Sequence, residues 1–210
     1  MADLITITNV LGSFATNCYT VANSKTREAV IIDPADRADY LIRMYANQNL
    51  KPVAVLLTHG HFDHIGALKD IRDAYPGITV YAGKEEEGVL KSTAYNLSAM
   101  FGAPTVAEAD NYLDDGETIE LLQTKIKTIH VPGHTKGGMC YYFEDEKLLF
   151  SGDTLFNFSI GRSDFPTGDG QALIDNIEKK LFVLPDDVTV YPGHNDRTTI
   201  KREKEMNPCF

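Results

Sequence analysis

Apolar residues along the chain follow two patterns: short runs rich in β-branched and aromatic residues, and segments in which apolar positions recur every three or four residues. The first pattern is typical of buried strands and the second of amphipathic helices. The runs that predict strands span residues 4–10, 17–22, 30–32, 53–57, 79–81, 124–131, 138–144, 147–150 and 188–191. The segments that predict helices span 36–48, 65–75, 84–91 and 171–181, and a charged helix is predicted at the carboxyl terminus.

Two long segments carry neither pattern and are predicted to be mainly irregular. Residues 92–110 predict a loop with some helix, and the sequence leaves open whether this segment is a lid. Residues 156–170 predict a second long loop. Asp114-Asp115-Gly116 predicts a turn, and Asp36 is the expected N-cap of the first helix.

Strand-rich halves that are each followed by helices predict two sheets packed together, with helices outside. The chain has 210 residues, no low-complexity linker and no short repeat, so we expect a single domain over residues 1–210.

The three cysteines of the chain lack paired spacing, which favours reduced thiols and a cytoplasmic protein. Two of them, Cys18 and Cys140, lie in apolar stretches, where we expect them to be buried.

Charge and hydropathy argue against two classes of partner. With 30 acidic and 20 basic residues the formal net charge is −10, and such a field repels nucleic acid. No apolar run approaches the roughly 20 residues that cross a bilayer, and the amino terminus shows no signal-peptide pattern. We therefore expect a small-molecule substrate, with neither nucleic acid nor a membrane as partner. The sequence leaves open whether the chain is a monomer or a homodimer.

Four potential metal ligands directly follow one predicted strand, in the order His-x-His-x-Asp-His: His59, His61, Asp63 and His64. Gly60 leaves room for a backbone bend, so His59 and His61 can point the same way. Asp63 and His64 fall where the next helix begins. A helix N-terminus disfavours imidazolium, which helps to keep His64 in the neutral form that binds a metal.

Three further predicted strands each end in a turn that presents a possible ligand: His134, Asp153 and His194. Of the six histidines, only His130 lies outside this arrangement. Five imidazoles and two carboxylates exceed what one four-coordinate ion needs, so two neighbouring metal ions are implied. Nitrogen and oxygen ligands without thiolate suit zinc, iron or manganese.

These motifs resemble those of the metallo-β-lactamase superfamily, and the resemblance extends over almost the whole chain. Gly-Asp-Thr at Asp153 and the loop 161–166 are similar to the hydroxyacylglutathione hydrolase (glyoxalase II) branch. The resemblance implies an α+β fold, a four-layer αβ/βα sandwich of two mixed sheets with helices on the outer faces. Because the chain ends soon after His194, it resembles the short single-domain relatives, and we expect no C-terminal glutathione-binding helical domain.

The resemblance also implies two ligand sets joined by one carboxylate. One metal ion is held by His59, His61 and His134. The other is held by Asp63, His64 and His194, and Asp153 bridges both. Zinc is the expected metal, with iron or manganese as alternatives.

The reaction implied is hydrolysis of an S-acylglutathione-like thioester by a hydroxide that bridges the two metal ions, with Asp63 orienting it and taking its proton. A thiol with a pKa of about 8.5 can leave as thiolate without a strong general acid, whereas an amine needs a proton donor. The loop after Asp153 contains Arg162, which is a candidate for binding a substrate carboxylate. Pairing of Arg162 with Asp164 is the structural alternative.

Other activities of the same fold remain open at this point. The first is an iron-dependent persulfide dioxygenase, a related family that tends to have glutamine where this chain has Pro166. A lactonase or another ester hydrolase is the second. A β-lactamase is less favoured because those with two metal ions usually have cysteine where Asp153 stands. The sequence does not identify the thiol or acyl group of the substrate.

Overall fold

Two six-stranded sheets and one small hairpin form the β-structure of the chain, in a computed structural model that describes residues 3–101 and 103–210. The strands of the first sheet, which neighbour one another in chain order, are β1 (Leu4–Leu11), β2 (Thr16–Asn23), β3 (Glu28–Ile32), β4 (Lys51–Leu56), β5 (Thr79–Gly83) and β6 (Asn111–Leu113). The first three are antiparallel, and β3 to β6 are parallel.

The strands of the second sheet are β7 (Thr118–Leu121), β8 (Thr124–His130), β9 (Met139–Phe143), β10 (Leu148–Gly152), β13 (Thr189–Pro192) and β14 (Thr198–Thr199). Their order is β14-β13-β10-β9-β8-β7, and only β10 and β13 pair in parallel among these described strands. Two short strands, β11 (Leu155–Phe156) and β12 (Ser159–Ile160), form the hairpin.

Helices cover the outer faces of the two sheets. The helices are α1 (Ala38–Asn47), α2 (Phe62–Ile65), α3 (Leu68–Ala74), α4 (Glu87–Leu90), α5 (Gly170–Asn176) and α6 (Ile200–Met206). A 3₁₀ turn at Lys84–Glu86 precedes α4, and α5 continues as a π-helix over Ile177–Leu181. None of the described helices has the length and apolar character that crossing a bilayer requires.

Alternation of side chains along the strands divides the apolar residues into three layers. Along β2, Cys18 lies in the layer beneath α1 and α3, whereas Tyr19 faces the second sheet. Along β9, Tyr141 faces the first sheet, whereas Cys140 and Tyr142 lie in the layer beneath α5 and α6. Both faces of these strands are buried, and β9 is accordingly a continuous apolar run, whereas β2 also buries polar side chains. The predicted four-layer sandwich is confirmed, and so is the burial of the two cysteines.

Several predicted elements differ from the structure in their boundaries. The helix predicted over 65–75 is interrupted after Ile65, because the N–H of Ala67 donates a hydrogen bond to the Pro34 carbonyl oxygen (2.9 Å), which lies outside the helix. The prediction that Asp36 is the N-cap of the first helix was wrong. Its carboxylate accepts a hydrogen bond from the N–H of Arg37 (2.6 Å), and Arg37, with φ 52°, is the N-cap of α1.

Strands β6 and β7 were not predicted, and the hairpin of β11 and β12 covers residues 155–160, at the start of the segment 156–170 that was predicted as a loop. Each has four residues or fewer, so the hydrogen bonds to neighbouring strands define it more than its own composition does. In the segment 92–110, the described residues contain no helix or strand, so the loop is as predicted and the expectation of some helix was wrong. Whether that segment is a lid stays a prediction.

Phe150→Ala is expected to lower the free energy of unfolding by about 3–5 kcal/mol, because it leaves a cavity between the sheets. The Phe150 ring is fully buried and lies 5.0 to 5.4 Å from the rings of Tyr19, Phe143 and Tyr191. Urea denaturation of the metal-free protein measures the change. As a control, Val183→Ala, at a side chain that is 71% exposed, should stay within about 0.5 kcal/mol. Equal losses in the free energy of unfolding in the two variants would contradict the burial of Phe150 between the two sheets.

Candidate metal centre

Three buried imidazoles converge where strands of the two sheets end. His59 and His61 follow β4, and His134 lies in the loop between β8 and β9. The Nε2 atom of His134 is 3.2 Å from His59 Nε2 and 2.9 Å from His61 Nδ1. Potential ligand atoms of all three lie within 4.8 Å of one another, which is the arrangement of a tridentate metal site.

Burial keeps this first group of imidazoles neutral. It lowers the pKa of His61 to about 3, helped by the charge of His134, and it also lowers the pKa values of His59 and His134. Neutral imidazole is the form that binds a metal ion. At pH 7 the first group therefore needs no deprotonation before it can hold a cation.

A second group lies beside the first and contains Asp63, His64 and His194. The Nε2 atoms of His64 and His194 are 3.7 and 3.5 Å from Asp63 Oδ2. Asp153 lies between the two groups. Its Oδ1 is 3.4 Å from His64 Nε2, and its Oδ2 is 3.6 Å from His134 Nε2 and 3.4 Å from His194 Nε2.

The electrostatics of the second group differ from those of the first. Burial lowers the pKa of His194, but the carboxylates of Asp153 and Asp63 outweigh burial and raise it to about 9. Burial likewise opposes a charge on His64, but three carboxylates, Asp153 first, raise its pKa well above the usual value. Conversely, neighbouring imidazoles outweigh burial and hold the pKa of Asp153 well below its usual range. This group attracts positive charge, which a metal ion supplies by displacing the protons.

Unpaired buried atoms test whether metal ions fit these residues. Among the described residues, five buried side-chain atoms have no hydrogen-bond partner: three are His61 Nε2, His64 Nε2 and Asp153 Oδ1, and the other two are Asn9 Nδ2 and Asn157 Oδ1. A buried polar atom without a partner costs about 1–3 kcal/mol. The first three belong to predicted ligands, so coordination of a cation there would give them a partner. The seven side chains predicted as ligands come together, and their nitrogen and oxygen atoms fit divalent metal ions.

Asp33 supports the centre, although it was not predicted as a site residue. Its Oδ2 is 2.9 Å from His64 Nδ1, and its carboxylate also accepts hydrogen bonds from the N–H and hydroxyl of Thr58 at 2.8 and 2.6 Å. The contact directs the Nε2 atom of His64 towards Asp63 and Asp153. The sequence does contain a signal, since Asp33 follows a buried strand as Asp153 does.

Backbone groups and glycines hold the remaining ligands in place. His134 Nδ1 is 2.7 Å from the carbonyl oxygen of Arg162, and Thr16 donates a hydrogen bond to Asp63 Oδ2 (3.0 Å). A Cβ added at Gly161 would lie 1.7 Å from the Asp153 carbonyl oxygen. Glycine is therefore required where this loop passes Asp153.

Two predictions concern residues outside the ligand groups. The guanidinium of Arg162 donates two 2.7 Å hydrogen bonds to Asp164 and lies 3.9 Å from the ring centroid of Phe165. The structural pairing of Arg162 is thus present, and its contact with substrate stays a prediction. His130 lies apart from the ligands, as predicted, with Nε2 2.9 Å from the Lys136 carbonyl oxygen.

Aromatic side chains flank the second group. The Phe62 ring, between two ligand positions, stacks on Phe101 with centroids 4.7 Å apart, and Phe14 contacts both rings at 5.0 Å. The N–H of Phe62 donates to the Asn96 carbonyl oxygen (2.9 Å), which attaches the segment 92–101 to the ligand loop. Phe14 and Phe101 are both more than two-fifths exposed. They form an apolar surface beside Asp63.

The family model of the metallo-beta-lactamase superfamily matches residues 11–194. The chain therefore belongs to the metallo-β-lactamase superfamily, as the motifs predicted. It is similar to a protein of Haemophilus influenzae named hydroxyacylglutathione hydrolase GloC, with 35% identity over 202 residues and 93% of each chain covered.

Two solved structures are similar to the chain over almost its whole length. One is described as BLEG-1 B3 metallo-beta-lactamase, with a TM-score of 0.92, 40% identity and coverage of 97% of this chain and 98% of that one. The other is described as TTHA1623 in a di-iron-bound form, with a TM-score of 0.86, 31% identity and coverage of 97% and 100%.

Zinc at about 1,000 times its dissociation constant is expected to stabilise the metal-free protein by about 4 kcal/mol, because the site exists only in the folded chain. For a chain of this size the midpoint of thermal unfolding should rise by about 8–16 °C. Scanning calorimetry after chelator treatment measures the shift. His130→Gln should keep it, and the double variant His61→Ala/His64→Ala, which removes one ligand from each group, should lose most of it. A full shift in the double variant would argue that zinc binds elsewhere.

Proposed function

We propose that this metallo-hydrolase is a binuclear thioesterase of the glyoxalase II type, which hydrolyses S-acylglutathione-like thioesters. The observation that carries the proposal is the position of Asp153. Its two carboxylate oxygens lie within 3.6 Å of imidazole nitrogens from both ligand groups. A carboxylate so placed can hold two cations side by side, which is the arrangement of two-metal hydrolytic sites.

The residues divide into two sets of metal ligands. His59, His61 and His134 would hold one ion, and Asp63, His64 and His194 the other, with Asp153 between them. When bound, two divalent ions supply a nucleophile at neutral pH and polarise the carbonyl that it attacks. Zinc is our proposed metal, and iron is the alternative that the di-iron form of a relative supports.

Asp63 is placed to act on a proton as well as on a metal ion. Burial raises its pKa, but His64 and His194 outweigh burial and leave the pKa below its usual value. The carboxylate is therefore ionised at neutral pH. The hydroxyl of Thr16 fixes its Oδ2 atom. An ionised carboxylate held in this way can orient a water molecule and accept its proton.

The acid–base state of the centre favours a thiol leaving group. Asp63 and Asp153 both have lowered pKa values, so neither carries a proton to donate at neutral pH. Imidazoles that hold metal ions are neutral. A thiolate can leave without a proton, whereas an amine cannot leave readily. The likeness to the protein named hydroxyacylglutathione hydrolase supports the same substrate class.

Hydrolysis of β-lactams is a second candidate function. It is favoured by the 40% identity to a structure described as a B3 metallo-beta-lactamase. The β-lactam nitrogen needs a proton as it leaves, and the side chains of this centre offer none at neutral pH. Thioester cleavage is therefore the better supported activity.

S-D-lactoylglutathione is expected to be hydrolysed, with free thiol released in step with loss of the thioester. Asp153→Ala should lower kcat/KM by more than about 100-fold and reduce the metal content from two ions per chain. Even residues that only support a metal ligand contribute about 10- to 100-fold. Thiol release and elemental analysis are the two measurements. The control is Asp145→Ala, at an exposed acid in a hairpin turn, which should change neither.

The same purified protein separates the alternatives. Oxygen consumption with glutathione persulfide, without thioester cleavage, would identify an iron-dependent dioxygenase. Faster opening of lactones or of a chromogenic β-lactam than of any thioester would move the assignment to those substrates.

Arg162→Ala is expected to raise KM for S-D-lactoylglutathione about tenfold and to leave kcat nearly unchanged, because a charged hydrogen bond to a substrate carboxylate is lost. Steady-state kinetics should show no such change for the uncharged substrate S-acetyl-N-acetylcysteamine. A KM that rises equally for both substrates would mean that Arg162 acts only by pairing with Asp164.

A further inference from the structure

Glu86 is a buried carboxylate that belongs to neither ligand group. It ends the 3₁₀ turn after β5 and is 0% exposed. Its Oε1 accepts a hydrogen bond from the N–H of Gly60 (2.8 Å). Its Oε2 accepts hydrogen bonds from the Thr135 hydroxyl (2.9 Å) and from the N–H of Gly137 (3.0 Å).

The three donors lie on two loops that carry the whole first ligand group. Gly60 separates His59 from His61 in the loop that follows the first sheet's β4. Thr135 directly follows His134 in the loop between β8 and β9 of the second sheet. One carboxylate therefore connects the imidazoles contributed by one sheet to the imidazole contributed by the other.

The local packing is adapted to this connection. A Cβ added at Gly137 would lie 2.1 Å from the backbone nitrogen of Glu86, so only glycine allows the loop to approach so closely. Burial raises the pKa of Glu86 to about 7, while the hydrogen bonds from Gly60, Thr135 and Gly137 favour the charged form. No lysine or arginine among the described residues forms an ion pair with it.

We propose that Glu86 is a positioning residue of the metal centre, which fixes the loop of His59 and His61 against the loop of His134. Its three hydrogen bonds keep the imidazole nitrogens of His59 and His61 within 3.2 Å of His134 Nε2. The inference rests on the metal centre of the proposed function and does not depend on which bond is cleaved. An apolar side chain here would leave three donors unpaired, whereas a glutamine would keep the volume and lose one acceptor.

Glu203 provides a matched control for the loss of a buried carboxylate. It is also 0% exposed and accepts hydrogen bonds from the Thr198 hydroxyl, the Phe158 N–H and the Asn207 side chain. These contacts join α6 to the β11–β12 hairpin rather than two ligand loops. Glu203→Gln therefore measures the general cost of placing an amide in a buried carboxylate site.

The experiment compares zinc affinity, by competition with a chromophoric chelator, and the visible absorption spectrum of the cobalt-substituted protein. Glu86→Gln is expected to weaken the binding of one zinc ion about 10- to 100-fold and to change the cobalt spectrum. Glu203→Gln should lower thermal stability but keep both properties within threefold of the original chain. Thr135→Val, which removes one of the three hydrogen bonds, should weaken zinc binding in the same direction by a smaller factor.

Several outcomes would overturn the proposal. One is a Glu86→Gln protein that is less stable but keeps the original zinc affinity and cobalt spectrum. Another is an equal loss of affinity in Glu203→Gln. If Glu86→Gln does not fold, an unchanged affinity in Thr135→Val decides against the proposal and a reduced affinity supports it. A chain that binds zinc normally but cleaves no thioester would refute the proposed function and leave this inference to be judged by the affinities alone.

Discussion

Face-to-face packing of the two sheets is the constraint on which the metal centre depends. Within the first sheet β3 and β4 are parallel, so Asp33 and His59 emerge at the same edge. Within the second sheet β8, β10 and β13 run in one direction, so the loops of His134, Asp153 and His194 also meet at one edge. The apolar layer between the sheets brings these two edges together. Neither sheet alone contains a complete ligand group.

Convergence of so many polar groups is unfavourable without a cation. Burial lowers the pKa values of the first three imidazoles, while carboxylates raise those of His64 and His194. The two halves of the centre thus differ in the direction in which their surroundings shift the imidazole pKa values. Burial favours neutral imidazoles in the first half, whereas the carboxylates favour positive charge in the second. Both shifts follow from one arrangement of side chains. A cation bound there would neutralise the buried carboxylates and give the unpaired imidazole nitrogens a partner.

The sequence predicted the side chains that converge at the centre much better than it predicted the buried carboxylates that contact the ligands and their loops. The predicted ligands follow apolar strands in recognisable turns, so local pattern was sufficient to single out the side chains that the structure brings together. Glu86 lies in a run of three glutamates, where a solvated helical surface is the natural interpretation. Its partners lie 26 to 51 residues away, beyond any local pattern. For the same reason the break after Ile65 was missed, because the N–H of Ala67 pairs with the carbonyl of Pro34 from another part of the chain.

Ligands that emerge from sheet edges explain how one centre can serve different chemistries in related proteins. The sheets hold the imidazoles and carboxylates, whereas the surrounding side chains come from segments that the sheets do not constrain. Here Phe14 lies in the turn between β1 and β2, and Phe101 lies in the irregular segment after α4. Loops of this kind can change without altering the distances between ligands. A protein named hydroxyacylglutathione hydrolase and a structure described as a B3 metallo-beta-lactamase are both similar to this chain over almost its whole length. Substrate choice is therefore to be sought in the aromatic surface and in the loop of Arg162 as well as in the acid–base state of the ligands.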